Sequence, residues 1–342
     1  FADALHDTST EVTPVPIERS DTANPRRFNR LLKQVPSDAD IVHVQFEAGL
    51  FGHLGMSGVC APFFFRRAAS MEPPVVTTLH EVHRSHAHQN RFGDYLLRAR
   101  DFVIERSALR ASRGVIVHTE TARDVLTDRH GRNRIVQMHH PVEVDATPID
   151  QATARSELGF DEPLLLTFGW IEEKKRYEQV IDVLPKLPAA QYLIAGEPRD
   201  DADSAVLERA LVRAEQLGVA DRVHHLGYVS DSEVQTLFSA VDAVVLPYRR
   251  VSQSGTLNLA LGYERPVLTT ALEPFEELRA EFGCPATYQD TDELKRKLVT
   301  LLSDSEEREH LLERAVAYAS ELTWGRFAEK SLDVYRRARD AD

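Results

Sequence analysis

Residues 241–270 read VDAVVLPYRRVSQSGTLNLALGYERPVLTT. Ala243-Val244-Val245-Leu246 is a short unbroken apolar run, the pattern of a strand buried on both faces of a parallel sheet. Pro247 ends it. Beyond the loop from Tyr248 to Gln253, Ser254 is a good N-cap, and Gly255 and Thr256 open a helix whose apolar face holds Leu257, Ala260 and Leu261. Arg265-Pro266 closes the helix, and Val267-Leu268-Thr269 returns as another buried strand. A strand, a hydroxyl-rich loop and a capped helix leave backbone N–H groups and a positive dipole end at the sheet's edge. That edge suits an anion, phosphate above all. An ordinary capped strand-to-helix turn would carry the same local sequence.

The same grammar extends in both directions. Upstream, strands are expected at Leu164 to Phe168, Tyr192 to Ala195 and Val223 to Leu226, alternating with helices near 177–187, 204–217 and 232–241. Before them, residues 140–163 are acidic and proline-bearing and read as a link. An earlier set of strands is expected at Ile41 to Gln45, Val75 to Leu79, Gly114 to Val117 and Arg134 to Met138. Helices are expected between them, among them one from about Gly55 to Arg67. Strands alternating with helices specify a parallel sheet covered on both faces. At ~150 residues per domain, 342 residues make two domains, divided here as 1–148 and 149–324. The fold class is α/β, two doubly wound Rossmann-like domains facing across a cleft, with ligands beyond the carboxyl ends of the strands. FADALHDTSTEV reads as the end of a helix running into a strand from Glu11 to Ile17, so the N-terminal domain is expected to lack its first strand.

Composition narrows the partners. The net charge is −13 with no basic tract, which argues against nucleic acid. Two distant cysteines, Cys60 and Cys284, give neither a disulfide framework nor a metal spacing, and fit a cytoplasmic setting. No run reaches the ~18 apolar residues of a membrane span; peripheral contact with the inner membrane surface is left open.

The strand ends hold the candidate residues. Gly169 and then Lys174 and Lys175, two of only seven lysines, follow the first strand of the second domain and make a positive clamp for a diphosphate, or a solvated charged loop. Gly196-Glu197 ends the next strand, a natural contact for a base or ribose. After Gly227, Tyr228 offers a ring to a nucleobase. In the first domain Gln45 and Glu47 close one strand, and His80 follows another. HEVHRSHAH holds His80, His83, His86 and His88, but its spacing matches neither HExxH nor a closed zinc site, so no metal is expected and a single active His80 is preferred.

Taken together, DIVHVQFEAGLFG, VVTTLH, GVIVHTETARDVL, TFGWIEEKKR, YLIAGEP, RVHHLGYVSDSEV and DAVVLPYRRVSQSGTLNLALGYERPVL resemble the retaining nucleotide-sugar glycosyltransferases of GT-B fold, family 4. The resemblance covers nearly the whole chain, with a tail from about 325 to 342 like the helix that crosses back onto the N-terminal domain. It implies that Lys175 holds the diphosphate of the sugar donor. Gly255-Thr256-Leu257 would hold the distal phosphate, and His80 would lie near the sugar and the reacting bond. The sequence departs from the family at Val251 and Leu259, where its paired glutamates fall, at Trp170, where a phosphate-binding arginine falls, and at Arg176, where a glycine falls. Ser252, Gln253, Ser254 or Asn258 are the candidates to replace the glutamates. The implied activity is transfer of a sugar from a UDP-, GDP- or ADP-linked donor to a glycan, lipid-linked or small-molecule acceptor, without cofactor or metal. Lost glutamates support a rival, a non-catalytic relative that binds a nucleotide sugar or a partner. An epimerase or a phosphorylase of similar fold is the second rival.

Overall fold

The structure is a computed structural model that describes residues 1–17, 27–52, 57–84, 91–131, 134–142, 144 and 149–341. The chain forms two compact units, Phe1–His140 with Trp324–Asp342, and Pro141–Thr323. The division falls at His140/Pro141 rather than at 148/149. Val142 is already buried in the second unit's core, and its N–H bonds to Leu322 O at 3.0 Å.

In the first unit, β1 (Val42–Phe46), β2 (Val75–Leu79), β3 (Ser112–Val117) and β4 (Ile135–Gln137) make a parallel sheet in that order. Alternation sends successive side chains to opposite faces. Val75, Val115 and Val117 pack with Phe28, Phe51, Phe64 and Phe65, while Val76 and Ile116 meet Phe327, Val334 and Ala338 of the helix Trp324–Arg339. At Gly114 a Cβ would come within 2.8 Å of Val334 Cγ1, so this helix lies close against β3.

Three expectations need correction. Residues 11–17 are not a strand: Pro14 and Pro16 each lack the N–H that a ladder requires. The helix expected from about Gly55 to Arg67 begins at Ala61 and ends at Ala68; Gly55 itself lies outside the described residues. The link segment contains a helix, Gln151–Leu158, capped by Asp150 and ended by Gly159 at φ 75°.

The second unit holds β5 (Leu164–Phe168), β6 (Gln191–Ala195), β7 (Val223–Gly227), β8 (Ala243–Leu246), β9 (Val267–Thr270) and β10 (Ala286–Tyr288). They form one parallel sheet in the order β10-β9-β8-β5-β6-β7. After β7 the chain returns to the far side of β5, so the winding reverses between β5 and β8. The loops leaving two such strands part company and open a crevice at their carboxyl ends. None of the described helices is long and apolar enough to cross a membrane.

Candidate functional site

That crevice is where most of the expected residues meet. Gly169, directly after β5, takes φ 91°, a left-handed conformation that favours glycine. A Cβ there would stand 3.1 Å from Lys175 Nζ and 3.5 Å from Thr256 Oγ1. Gly196 follows β6 and backs onto it, since a Cβ at Gly196 would lie 2.3 Å from Gly169 O. Lys175 ends a short 3-10 turn, Glu173–Lys175, and is only 3% exposed. Its Nζ donates to Phe168 O at 2.7 Å, and Thr256 Oγ1 donates to the same carbonyl at 3.4 Å. Burial pulls the ammonium down to about 7; Glu172 opposes that shift, and Lys174 and Arg199 reinforce it. Lys174 turns elsewhere and pairs with Glu172 at 2.9 Å, a carboxylate also held by Arg199 at 3.0 Å.

The helix Gly255–Gly262 faces this point with its N-terminus. Ser254 Oγ accepts from Leu257 N at 3.1 Å, and Ser254 O accepts from Asn258 N at 3.2 Å. The N–H groups of Gly255 and Thr256 keep no partner inside the helix, as first-turn groups do not. A Cβ on Gly255 would meet nothing within 4 Å. Leu257 is buried and its N–H is taken by the cap, so of the three residues expected at the distal phosphate it has the least to offer a ligand.

Arg176 stands where a glycine was expected from the resemblance, and its backbone takes the left-handed φ of 43°. Its side chain gives that conformation a use. Nε donates to Pro247 O at 2.7 Å and Nη2 to Tyr248 O at 3.1 Å, while Arg249 N donates to Lys174 O at 2.8 Å. The lysine turn is thereby stitched to the loop after β8. Val251 and Leu259 pack against the apolar core. Trp170 is exposed, as are Glu197 and Tyr228. Glu197 O accepts from Ile171 N at 3.1 Å; Tyr228 follows Gly227, whose carbonyl accepts from Gly196 N at 2.7 Å.

A second group of chemically able side chains crosses the carboxyl edge of the first unit. His80 Nε2 meets Gln45 Oε1 at 2.8 Å, and His80 Nδ1 meets His118 Nε2 at 3.2 Å. His43 touches Thr78 Oγ1 at 2.8 Å and Tyr335 OH at 2.6 Å. His140 lies over His118 with ring centres 5.0 Å apart. Burial, helped by neighbouring histidines, lowers His43 to about 3, His80 to about 4 and His118 to about 3. Glu47 is exposed and precedes the turn Ala48–Phe51. His118 and His43 were not singled out from the sequence, although His118 directly follows a buried strand just as His80 does. His83 is among the described residues, and its carbonyl accepts from Arg129 Nη2 at 2.6 Å; His86 and His88 lie outside them. Among the described residues no group of three or more His, Cys, Asp or Glu is placed to hold a metal ion.

Two family descriptions match this chain, Glycosyltransferase Family 4 over residues 5–146 and Glycosyl transferases group 1 over residues 150–317. A D-inositol 3-phosphate glycosyltransferase of Mycobacterium sp. (strain JLS) is 32% identical over 138 residues, 39% of this chain. That match spans 31% of the mycobacterial protein's length. A GDP-mannose:glycolipid 4-beta-D-mannosyltransferase of Xanthomonas campestris pv. campestris is 26% identical over 272 residues, 77% of this chain and 70% of that one. Among solved structures, Anabaena HepE in complex with UDP and glucose superposes with a TM-score of 0.71 at 16% identity, over 90% of this chain and 80% of that one. A sucrose-phosphate synthase of Thermosynechococcus elongatus gives 0.72 at 17% identity, over 93% and 78%.

Proposed function

The chain belongs to the family 4 and group 1 glycosyltransferases, with a GT-B fold, and from that membership we propose that it moves a sugar from a nucleotide diphosphate-sugar to an acceptor with retention at the anomeric carbon. One observation carries this reading. The buried Lys175 ammonium, Thr256 Oγ1 and the turn at Gly169 converge beside an open helix N-terminus, where the winding of the second sheet reverses. Such a place neutralises an anion, and a diphosphate fits its combination of one ammonium and a helix end.

In this reading the leaving diphosphate gathers negative charge as the bond to the sugar breaks. Lys175 and the N–H groups of Gly255 and Thr256 stabilise that charge in the transition state more than in the bound donor, which is what accelerates the step. No carboxylate nucleophile is assigned, so the acceptor attacks from the face the diphosphate leaves, and the diphosphate takes the acceptor's proton. We assign no cofactor and no divalent metal, because the lysine and the helix end already supply the positive charge. The exposed Tyr228 ring and Glu197 are assigned to the base and ribose. His80 is assigned to the transferring sugar, with Gln45 and Glu47 on the acceptor side. The acceptor is a saccharide, a lipid-linked molecule or a small molecule. The setting is the cytoplasm, at its membrane face for a lipid-linked acceptor.

Incubation with a panel of UDP-, GDP- and ADP-sugars tests this. Turnover of at least one, as slow hydrolysis or as transfer, is expected. Tight binding without turnover across the panel would assign the chain to the non-catalytic alternative, and absence of binding would reject the diphosphate site itself.

A further inference from the structure

The carboxyl ends of the first unit's four strands carry one row of hydrogen bonds, in strand order. Gln45 lies on β1, His80 follows β2, His118 follows β3 and Met138 follows β4. Gln45 Oε1 is 2.8 Å from His80 Nε2, His80 Nδ1 is 3.2 Å from His118 Nε2, and His118 Nδ1 is 3.0 Å from Met138 O. A carbonyl oxygen only accepts, so His118 Nδ1 carries the hydrogen. His118 is buried, and that burial together with His80 and His140 holds it neutral, down to about 3. Its Nε2 is therefore bare and must accept from His80.

We infer that His118 is a positioning residue that fixes His80 as the Nδ1–H tautomer, leaving Nε2 as the atom at which His80 exchanges a proton or meets a ligand. Isolated imidazole prefers the opposite tautomer, with its hydrogen on Nε2. The row therefore imposes the state on the ring rather than merely recording it. Gln45 serves both conditions of that atom. Its carboxamide oxygen, 2.8 Å from Nε2, accepts from a protonated Nε2; a bare Nε2 requires the amide turned over, its NH2 donating to His80 and its oxygen replacing the NH2 that stands 3.3 Å from His43 Nε2. The tautomer rests on the row's geometry together with the neutrality of buried His118; its consequence for turnover rests on the transferase reading above.

Nitrogen-15 NMR of the full chain labelled at histidine, with His80 assigned through His80→Gln, reads the tautomer directly. The hydrogen is expected on Nδ1 in the parent chain. In His118→Phe, which keeps a ring but offers no acceptor, it is expected to move towards Nε2. In His118→Gln, whose carboxamide oxygen can replace Nε2 as acceptor, it is expected to stay. With the sugar nucleotide that the parent chain turns over, kcat of His118→Phe should fall about tenfold or more at nearly constant KM, and His118→Gln should recover most of that loss. A parent His80 with its hydrogen on Nε2, or a folded His118→Phe protein that keeps Nδ1–H, would overturn the inference. A tautomer that moves as expected without any change in kcat upholds the positioning role and instead removes His80 from the reaction.

Discussion

Burial holds the Lys175 ammonium, which donates to Phe168 O at 2.7 Å, down to about 7, so it parts readily with its proton until an anion arrives. Lys174, one position earlier, keeps its head at the surface against Glu172. The pair therefore separates a specific contact from a diffuse field. Lys175→Ala should weaken nucleotide-sugar binding by roughly 1.5–3 kcal/mol, the usual size of a charge-assisted hydrogen bond, and Lys174→Ala by much less. Equal losses, measured by calorimetry, would mean that the loop acts only as a positive field. The pH dependence has a definite sign. With a value of about 7, Lys175 is mostly neutral at alkaline pH in the empty protein. A bound diphosphate favours the charged form, so binding takes up a proton and affinity falls towards tenfold per unit between about pH 7.5 and 9. Titrating UDP in buffers of different ionisation enthalpy counts that proton, and none taken up would contradict the placement. For the empty protein, stability runs the other way. The unfolded lysine holds its proton up to 10.5, so stability rises with pH from about 7 to that value.

At the helix Gly255–Gly262 the backbone is the proposed ligand and the side chains only make room. A Cβ on Gly255 meets nothing in the protein, so Gly255→Val should fold normally, yet its branched side chain would occupy the space assigned to the phosphate. Binding of UDP and GDP should be abolished at an unchanged melting temperature. Ser254→Ala removes the cap on Leu257 N, worth ~1 kcal/mol, and should lower the melting temperature with a smaller loss of binding. Undiminished binding by folded Gly255→Val would move the anion site elsewhere. Elements of this kind were legible beforehand because their signals are local. Four apolar residues closed by Pro247, then Ser254 and Gly255, give strand, loop and helix without any tertiary knowledge. What escaped was decided by small numbers of atoms or by distance along the chain. β10 is three residues long, beside Pro285, too short for a period to show. Residues 11–17 alternate like a strand, but two missing N–H groups outweigh the pattern. The role of Gly169 is legible only with Gly196, Lys175 and Thr256 beside it, the last 87 positions away. The row Gln45–His80–His118–Met138 exists only because the strand order follows the sequence order.

At the level of the whole molecule the two units differ in how they meet acid. The first carries His43, His80 and His118, all held neutral in the folded state at values of about 3 to 4, against 6.5 when unfolded. Below 6.5 the unfolded chain binds protons that the folded unit refuses, so stability is lost as pH falls, by up to about 1.4 kcal/mol per unit for each histidine. As pH falls from about 6.5 to 5, the first unit's transition should therefore move down relative to the second's. Scanning calorimetry with His118→Gln as comparison checks this; parallel falls in both transitions would refute it. The closing helix has a different consequence. The chain leaves the first unit at His140 and re-enters it at Trp324, so the first unit is completed only after the second has been made. While Pro141–Thr323 is being made, about 10–40 s at ordinary elongation rates, Val76, Ile116 and Met138 have no helix over them. Each nascent chain thus carries one face of that sheet bare until residues 324–339 arrive to cover it.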